Sequence, residues 1–441
     1  MKSFPYVKLI AYSDIHHHEY TNGVTEADVV DIEHGIVELV ESLEADVIVF
    51  GGDRFQSRNP TDYVKYSADK SFDELASLGK PIIALVGNHD RSTKNNESHH
   101  SLKSIELLGH KNVIIADKIE IHKLNIRGFT VEFYCIPAGH VPSMEAFGSE
   151  RITRDENCYK ICLFHDMLDG CLTAGGTMFA GNNELVKFLS YHQFDVAIGG
   201  DNHRGQVLYY SNSDNMVVYA GSPMQHTRND AKWNSSGTVC SVGLSRVNSI
   251  EEADILSDTS LEGKYPTIWM CGRYQEKNVL HVNRRYLNGP RFESIECKIN
   301  TVQDFLKIIS SLKTQMFDNN KFDNIFLPEG QQGLYNQIPG LYREPTLATL
   351  ENSILSLNII TDSEEFEGMV PVLEKKVKDL LSARQVNITI ENSGIKVYEP
   401  AVANMDDSSL WAQFVKDRAY ENADELIEIG LGYINDKSTK S

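Results

Sequence analysis

The strongest constraint on the fold of this 441-residue chain comes from five nearly uninterrupted apolar runs. Each run is followed at once by residues of the kinds that bind metal ions. Their unbroken apolar character predicts strands that are buried on both faces. Between the first three runs, residues 24–44 and 62–78 show the spacing of amphipathic helices. Strand and helix therefore alternate, which predicts βαβ units in a mostly parallel sheet. The runs and the residues that end them are VKLIAYSDIH (7–16), ADVIVFGGDR (45–54), PIIALVGNHD (81–90), YKICLFHD (159–166) and FDVAIGGDNH (194–203).

The polar residues that end these runs are predicted to meet at one site. The carboxyl ends of parallel strands share one edge of the sheet, and ligands bind at that edge. Carboxylate, amide and imidazole groups suit Mn²⁺, Fe²⁺, Zn²⁺ or Mg²⁺. Any one of these residues could instead be a turn or a helix cap, but the whole set fits two ions, roughly 3.5–4 Å apart, that share a carboxylate and act on a phosphoryl group. The predicted ligands are Asp14, His16, Asp53, Asn88, His165, Asp201 and His203.

The motifs DIH, GGD, GNHD, FHD and GDNH, in this order, resemble those of the calcineurin-like metallophosphoesterases. The resemblance implies an α/β fold, a sandwich of mixed β-sheets flanked by helices. It also implies a non-ligand catalytic role for His89. The family usually has histidine where Asp201 stands, and a carboxylate oxygen is a harder ligand, which favours Mn²⁺ or else Mg²⁺. Carried over by position, the first ion would be held by Asp14, His16, Asp53 and His203, and the second by Asp53, Asn88, His165 and Asp201, with Asp53 as the bridge.

Within this superfamily, the segment YAGSPMQ (219–225) resembles the end of the phosphoesterase domain in SbcD-type nuclease subunits. This resemblance implies a homodimeric DNA exonuclease or endonuclease acting at duplex ends in recombination and double-strand-break repair. Its partner would be an ABC/SMC-like ATPase of the SbcC type, in the cytoplasm of a bacterium or a phage-infected cell. Two alternatives stay open, namely a phosphomonoesterase or protein phosphatase of the same superfamily and a non-catalytic recombination scaffold.

The overall charge of the chain limits the kinds of DNA contact that are expected. A net charge of −20 argues against a general nucleic-acid coat, but bound cations would neutralise the carboxylates of a nuclease site. No apolar run reaches the length of a membrane span, so no membrane association is expected.

Several basic residues beside the motifs are candidates for contacts with substrate phosphates. The alternative is that they are ordinary solvated loop charges. His17 and His18 are expected on the surface of the first loop, where one of them could touch phosphate. The predicted substrate-binding residues are Arg54, Arg58, Arg91, Arg204 and His18, with Lys94, Arg228 and Lys232 as further basic neighbours.

The predicted domain organisation has three parts. Residues 1–246 form the phosphoesterase domain, and the polar segment 247–266 leads into a smaller α+β capping domain, 266–400, that would guide DNA. Residues 408–436 then form C-terminal helices with an apolar face. That face either packs on its own chain or binds the coiled coil of the ATPase partner.

Overall fold

The computed structural model confirms the predicted α/β class, with mixed sheets flanked by helices. No helix within the described part of the chain is long and apolar enough to cross a membrane. The described residues are 6–19, 23–91, 99–155, 157–173, 177–210, 215–226, 230, 238–246, 267–275, 278–287, 291–299, 301–312, 325–326, 353–361, 363, 366 and 368–392.

The first sheet contains the first three predicted strands side by side and parallel. A fourth parallel strand extends one side, and three antiparallel strands extend the other. In spatial order the strands are β12 (Thr267–Gln275), β13 (Asn278–Tyr286), β11 (Thr238–Arg246), β1 (Tyr6–Tyr12), β2 (Val47–Phe50), β3 (Ile82–Leu85) and β4 (Val113–Ala116).

The second sheet contains the last two predicted strands, which are parallel neighbours. Its spatial order is β15 (Ile325–Phe326), β9 (Gln206–Tyr210), β10 (Asn215–Tyr219), β8 (Val196–Gly200), β7 (Cys158–His165), β6 (Phe129–Ile136) and β5 (Glu120–Ile126).

Alternate residues of the central strands belong to two different cores, which explains the unbroken apolar runs. Leu9 and Val49 face inward and pack against residues of the second sheet such as Phe133. Ile10 and Phe50 face outward and pack under the helices α1 (Glu26–Ser42) and α2 (Asp62–Ser77). The outer face of the second sheet is covered by α4 (Asn183–Tyr191), and the short helix α3 (Lys103–Leu107) precedes β4. The result is a sandwich of two sheets between helical layers.

A third, three-stranded sheet forms a separate small core with two helices. The first of these helices is capped by Thr301, whose hydroxyl accepts a hydrogen bond from the Asp304 backbone N–H at 3.1 Å. The elements are β14 (Arg291–Lys298), α5 (Val302–Leu312), β16 (Ser353–Thr361), α6 (Val370–Leu381) and β17 (Gln385–Asn392).

The domain limits at 246 and 266 stay a prediction, as does the capping role. The strands β12 and β13, which follow residue 266, continue the first sheet by pairing with β11. The polar segment 247–266 and the C-terminal segment 408–436 lie outside the described residues.

Candidate metal centre

The predicted ligands lie in tight turns that leave the strands. Asp14, His16, Asp53 and Asp201 have φ angles of 57°, 50°, 58° and 72°. These are left-handed conformations, which non-glycine residues adopt rarely and which cluster at functional sites. Glycine is also required at position 87, in the turn after β3, since a Cβ there would overlap the Asp53 carboxylate.

Hydrogen bonds join these turns across the edge of the two sheets. The backbone N–H of Asp14 donates to Gly52 O at 2.9 Å, and that of His16 donates to Asp53 O at 3.2 Å. The Asp201 N–H, from the second sheet, donates to Asp14 Oδ2 at 3.1 Å. Loops that are far apart in sequence are thereby held within one small volume, as the motif pattern predicts.

Two overlapping groups of potential ligand atoms result. Asp14, His16 and His203 form one group, and Asp14, Asp53 and His165 form the other, with the ligand atoms of each group all within 4.8 Å of one another. The Nε2 atoms of His16 and His203 are 3.0 Å apart. Asp14 belongs to both groups, and all of these residues except half-buried His203 are buried.

Asp53 belongs to the second group, and its other oxygen also faces the first group, as a bridging carboxylate would. Its Oδ2 is 3.9 Å from His16 Nε2, and its Oδ1 is 3.4 Å from His165 Nε2. Asp201 Oδ1 is 3.9 Å from the same His165 nitrogen, and Asn88 Nδ2 is 3.3 Å from Asp201 Oδ1. All the predicted ligands therefore converge, with Asn88 at the exposed margin.

The residues present fit a bound cation. Asp14 Oδ1 and His165 Nε2 are buried and make no hydrogen bond, and an unsatisfied buried polar atom costs about 1–3 kcal/mol. His165 Nδ1 donates to Gly51 O at 2.6 Å, so its Nε2 presents a lone pair to the centre. The Nδ1 of His203 donates to Asp230 Oδ1 at 3.2 Å with the same consequence.

Burial of so many ionisable groups perturbs their pKa values. Burial raises the pKa of Asp14 to about 7, with the imidazoles of His165 and His203 opposing the rise. For His165, burial acts to lower the pKa, but the carboxylates of Asp53 and Asp14 outweigh it, and the pKa lies well above its usual value. Protons on these groups therefore supply positive charge that a divalent cation would supply instead, since metal ions and protons compete for the same atoms.

His89 lies beside the centre in a different way. Its backbone N–H donates to Asp53 Oδ1 at 2.9 Å, and its ring is 5.1 Å from that of His16 in an edge-on arrangement. Its Nδ1 donates to Gln56 O at 2.7 Å, because a carbonyl can only accept. This bond fixes the ring and leaves Nε2 as the atom that could meet a substrate.

Asp90, the last residue of the GNHD motif, supports the turns of the proposed ligands. The carboxylate is fully buried and accepts hydrogen bonds from the backbone N–H groups of Asp53, Arg54 and Gly87 at 2.9–3.0 Å. It ties the turn after β2 to the turn after β3. Its position at the end of the GNHD motif is the sequence feature that could have indicated this role.

His226 and Asp230 also lie at the centre, although the sequence motifs do not include them. His226 Nε2 lies 3.0 Å from the Asp14 backbone oxygen, and its ring lies edge-on to His16 at 5.1 Å. Asp230 accepts from the His226 backbone N–H at 3.0 Å and from the His203 ring. His226 directly follows the YAGSPMQ segment and Asp230 lies four residues later, but they belong to no periodic pattern that would indicate burial.

Three of the arginines predicted to contact substrate are buried and do not lie on exposed loops. Arg54 is fully buried with its guanidinium on Glu33, and Arg91 is buried with its guanidinium on the carbonyls of Ala138 and Asp117. Arg204 is also buried. These three arginines therefore do not form part of an exposed surface that could bind substrate phosphates.

The first loop also differs from the expectation. His17 is fully buried and not on the surface, whereas His18 is half-buried and Arg58 is exposed. The substrate contacts of Arg58 and His18 stay predictions. Lys94, Arg228 and Lys232 lie outside the described residues.

Comparison with known proteins agrees with this geometry. The family model described as Calcineurin-like phosphoesterase matches residues 7–205, from β1 to the turn after β8. The chain is 25% identical over 224 residues to the DNA double-strand break repair protein Mre11 of Saccharolobus solfataricus, covering 49% of this chain and 54% of that protein. It is 21% identical over 229 residues to Mre11 of Methanosarcina acetivorans, covering 51% of this chain and 35% of that protein. The chain thus spans about half the length of the first relative and about a third of the second.

Among solved structures, TT1561 of Thermus thermophilus is similar, with 13% identity and a TM-score of 0.34, covering 54% of this chain and 94% of that one.

Proposed function

Since residues 7–205 form a calcineurin-like phosphoesterase domain, we propose that this chain is a nuclease that hydrolyses DNA phosphodiester bonds. The observation that carries the proposal is the convergence of two groups of potential ligand atoms, which share Asp14 and are linked by Asp53, at the edge of the sandwich. Both curated relatives are named as DNA double-strand break repair proteins, which supports DNA as the substrate.

The proposed centre holds two divalent cations, Mn²⁺ or else Mg²⁺. When bound, such ions supply positive charge at a scissile phosphate and lower the pKa of water. The Asp53 carboxylate would bridge the two, because its oxygens face different imidazoles. The proposed ligands of one ion are Asp14, His16, Asp53 and His203, and those of the other are Asp53, Asn88, His165 and Asp201.

His89 is the proposed catalytic residue. Its Nδ1 proton is held by the Gln56 carbonyl, so only the imidazolium carries a second proton on Nε2. In that form it would donate the proton to the leaving sugar oxygen. Its backbone bond to Asp53 keeps the ring next to the proposed bridge.

A nuclease assay tests this proposal. We expect Mn²⁺-dependent degradation of linear duplex DNA, with little turnover of a generic phosphomonoester measured in parallel. His89→Ala should lower the rate by about 10²–10⁴-fold while Mn²⁺ binding, followed by calorimetry, is retained. Hydrolysis of the monoester without cleavage of DNA would instead favour a phosphomonoesterase. Loss of both ions in His89→Ala would reassign this residue as a ligand.

We also propose a homodimer that works with an SbcC-type ATPase on duplex ends. The support is the resemblance to SbcD-type subunits together with the apolar residues between Leu410 and Ile434, a segment outside the described residues. Deleting residues 401–441 should leave Mn²⁺-dependent cleavage of short DNA intact and abolish co-purification with such an ATPase. Retained co-purification would refute the docking of this segment.

A further inference from the structure

Four charged side chains lie buried directly behind the proposed ligand turns. His17 and Arg54 are 0% exposed, Glu33 is 2% exposed and Glu26 is 5% exposed. His17 Nδ1 donates to Glu26 Oε1 at 2.6 Å, and its Nε2 donates to Glu33 Oε2 at 3.0 Å. The group, called here the charge cluster, pairs two cations with two carboxylates.

The charge cluster is attached to both ligand turns through adjacent residues. His17 follows the proposed ligand His16, and Arg54 follows the proposed bridge Asp53. The His17 backbone N–H donates to Arg54 O at 2.7 Å, and the Gln56 N–H donates to His17 O at 3.2 Å. The residues that carry these two side chains are therefore part of the hydrogen-bonded backbone of the ligand turns.

The carboxylates anchor these turns to the helices that cover the sheet. Glu26 and Glu33 belong to α1. Arg54 binds Glu33 through both terminal nitrogens, at 2.7 and 3.1 Å, and also reaches the Ala68 carbonyl in α2. Ser71, also in α2, donates to Glu33. Two helices thus hold two turns through one buried network.

Stability alone gives no reason for charges at this place. Burying ions is costly, and replacing a buried ion pair by apolar side chains of similar volume is often neutral or stabilising. The bidentate pairing fixes orientation as well as distance, which apolar contacts do not. The turns concerned hold His16 and Asp53 in left-handed conformations that need such support.

We propose that His17, Glu26, Glu33 and Arg54 are positioning residues that hold the backbone of His16 and Asp53 in the geometry required for metal binding. The inference rests on the proposed metal centre and deepens it. The four side chains act through the backbone of the ligand turns. A contribution of this kind affects metal affinity in addition to folding, and outer-shell partners of ligands typically contribute 10–100-fold in affinity.

The test is metal binding by the full chain carrying Glu33→Gln. This change keeps the shape of the side chain but removes the charge that both His17 and Arg54 face. We expect about 10–100-fold weaker Mn²⁺ binding, measured by electron paramagnetic resonance, and an altered visible spectrum of the Co²⁺-loaded protein. Both are recorded at a temperature where circular dichroism shows a native fold.

Asn215→Ala is the matched control. Asn215 is fully buried at the start of β10, the opposite end of the sandwich, and donates to His192 O at 2.8 Å. Its loss should lower stability without changing Mn²⁺ affinity. If Glu33→Gln does not fold, Glu26→Gln carries the test, because it removes one of the two charges that His17 faces and leaves the Arg54–Glu33 pair intact.

The possible results separate this inference from the proposed nuclease activity. A folded Glu33→Gln or Glu26→Gln variant that binds Mn²⁺ as tightly as the wild type overturns the positioning role. Equal loss of affinity in Asn215→Ala overturns it too, since instability would then explain the effect. A wild-type chain that binds Mn²⁺ but leaves DNA intact refutes the nuclease proposal, while the comparison of affinities still decides the role of the charge cluster.

Discussion

Asp53 is held by several independent constraints. Its φ angle is 58°, its Oδ1 accepts the His89 N–H, and its backbone N–H is held by Asp90. Burial acts to raise its pKa, but the His165 imidazole outweighs this and the pKa lies below its usual range. The residue is therefore held as a carboxylate between two imidazoles.

This geometry predicts unequal effects of two alanine substitutions. Asp53→Ala should reduce binding of both ions, because its two oxygens face different groups of ligands. Asp201→Ala should weaken the binding of mainly one ion, since Asp201 Oδ1 lies near the imidazole of His165, a proposed ligand of that ion. Metal content per chain after dialysis measures the difference. Equal losses in the two variants would contradict the assignment of Asp53 as the bridge.

Helix α4 illustrates how an element depends on one buried imidazole. His192 follows its last residue and is 1% exposed. The Ile152 N–H donates to His192 Nδ1 at 3.0 Å, and His192 Nε2 donates to Met144 O at 3.0 Å. These bonds require the neutral ring. Burial, aided by Arg151 and opposed by the Met144 bond, lowers its pKa from 6.5.

The sign of this shift predicts a stability loss in acid. Because the folded pKa lies below the unfolded value of 6.5, the contribution is present above pH 6.5 and is lost as the pH falls through the folded pKa. His192→Asn keeps an acceptor for Ile152 but loses the Met144 bond, so it should cost about 1 kcal/mol at high pH. Urea unfolding from pH 8 to pH 5 should show a narrowing gap between wild type and variant. A gap that does not change with pH would contradict this account.

The strands and the closeness of their terminal polar residues could be predicted, because each run ends in its own polar motif and the parallel sheet then brings the ends together. The burial of His17 and Arg54 was missed because their partner Glu33 lies on a separate helix, 16 and 21 residues away in sequence. A signal existed, since Glu33 falls between Val29 and Ile36 on the apolar face of α1. His226 and Asp230 could not be predicted, because only the fold brings them to Asp14 and His203, which are distant in sequence or belong to another motif.

At the scale of the whole molecule, the third sheet is joined to the sandwich at the start of α1. Arg384, in the turn before β17, donates to Asp28 Oδ1 at 2.6 Å, and its backbone N–H donates to Ser353 O at 2.8 Å. Ile354 of β16 packs in the same core as the outer face of the first sheet. The carboxylates of the charge cluster lie on the same helix as Asp28. Helix α1 thus contacts the third sheet at its first turn and the ligand turns along its length.

Arg384→Met should test whether this contact joins the two parts energetically. The Arg384 side chain is 28% exposed and that of Asp28 is 11% exposed, so after allowance for solvent screening we expect a loss of about 1 kcal/mol. Lys103→Met, which removes an ion pair whose side chains are 48% and 45% exposed, is the control and should change stability little. Urea unfolding followed by far-ultraviolet circular dichroism and by tryptophan fluorescence measures both. If the third sheet and the sandwich unfold as one unit, the two signals of the Arg384→Met variant shift together to lower urea. Signals that separate into two transitions in the wild type would show that the Arg384–Asp28 contact does not couple them.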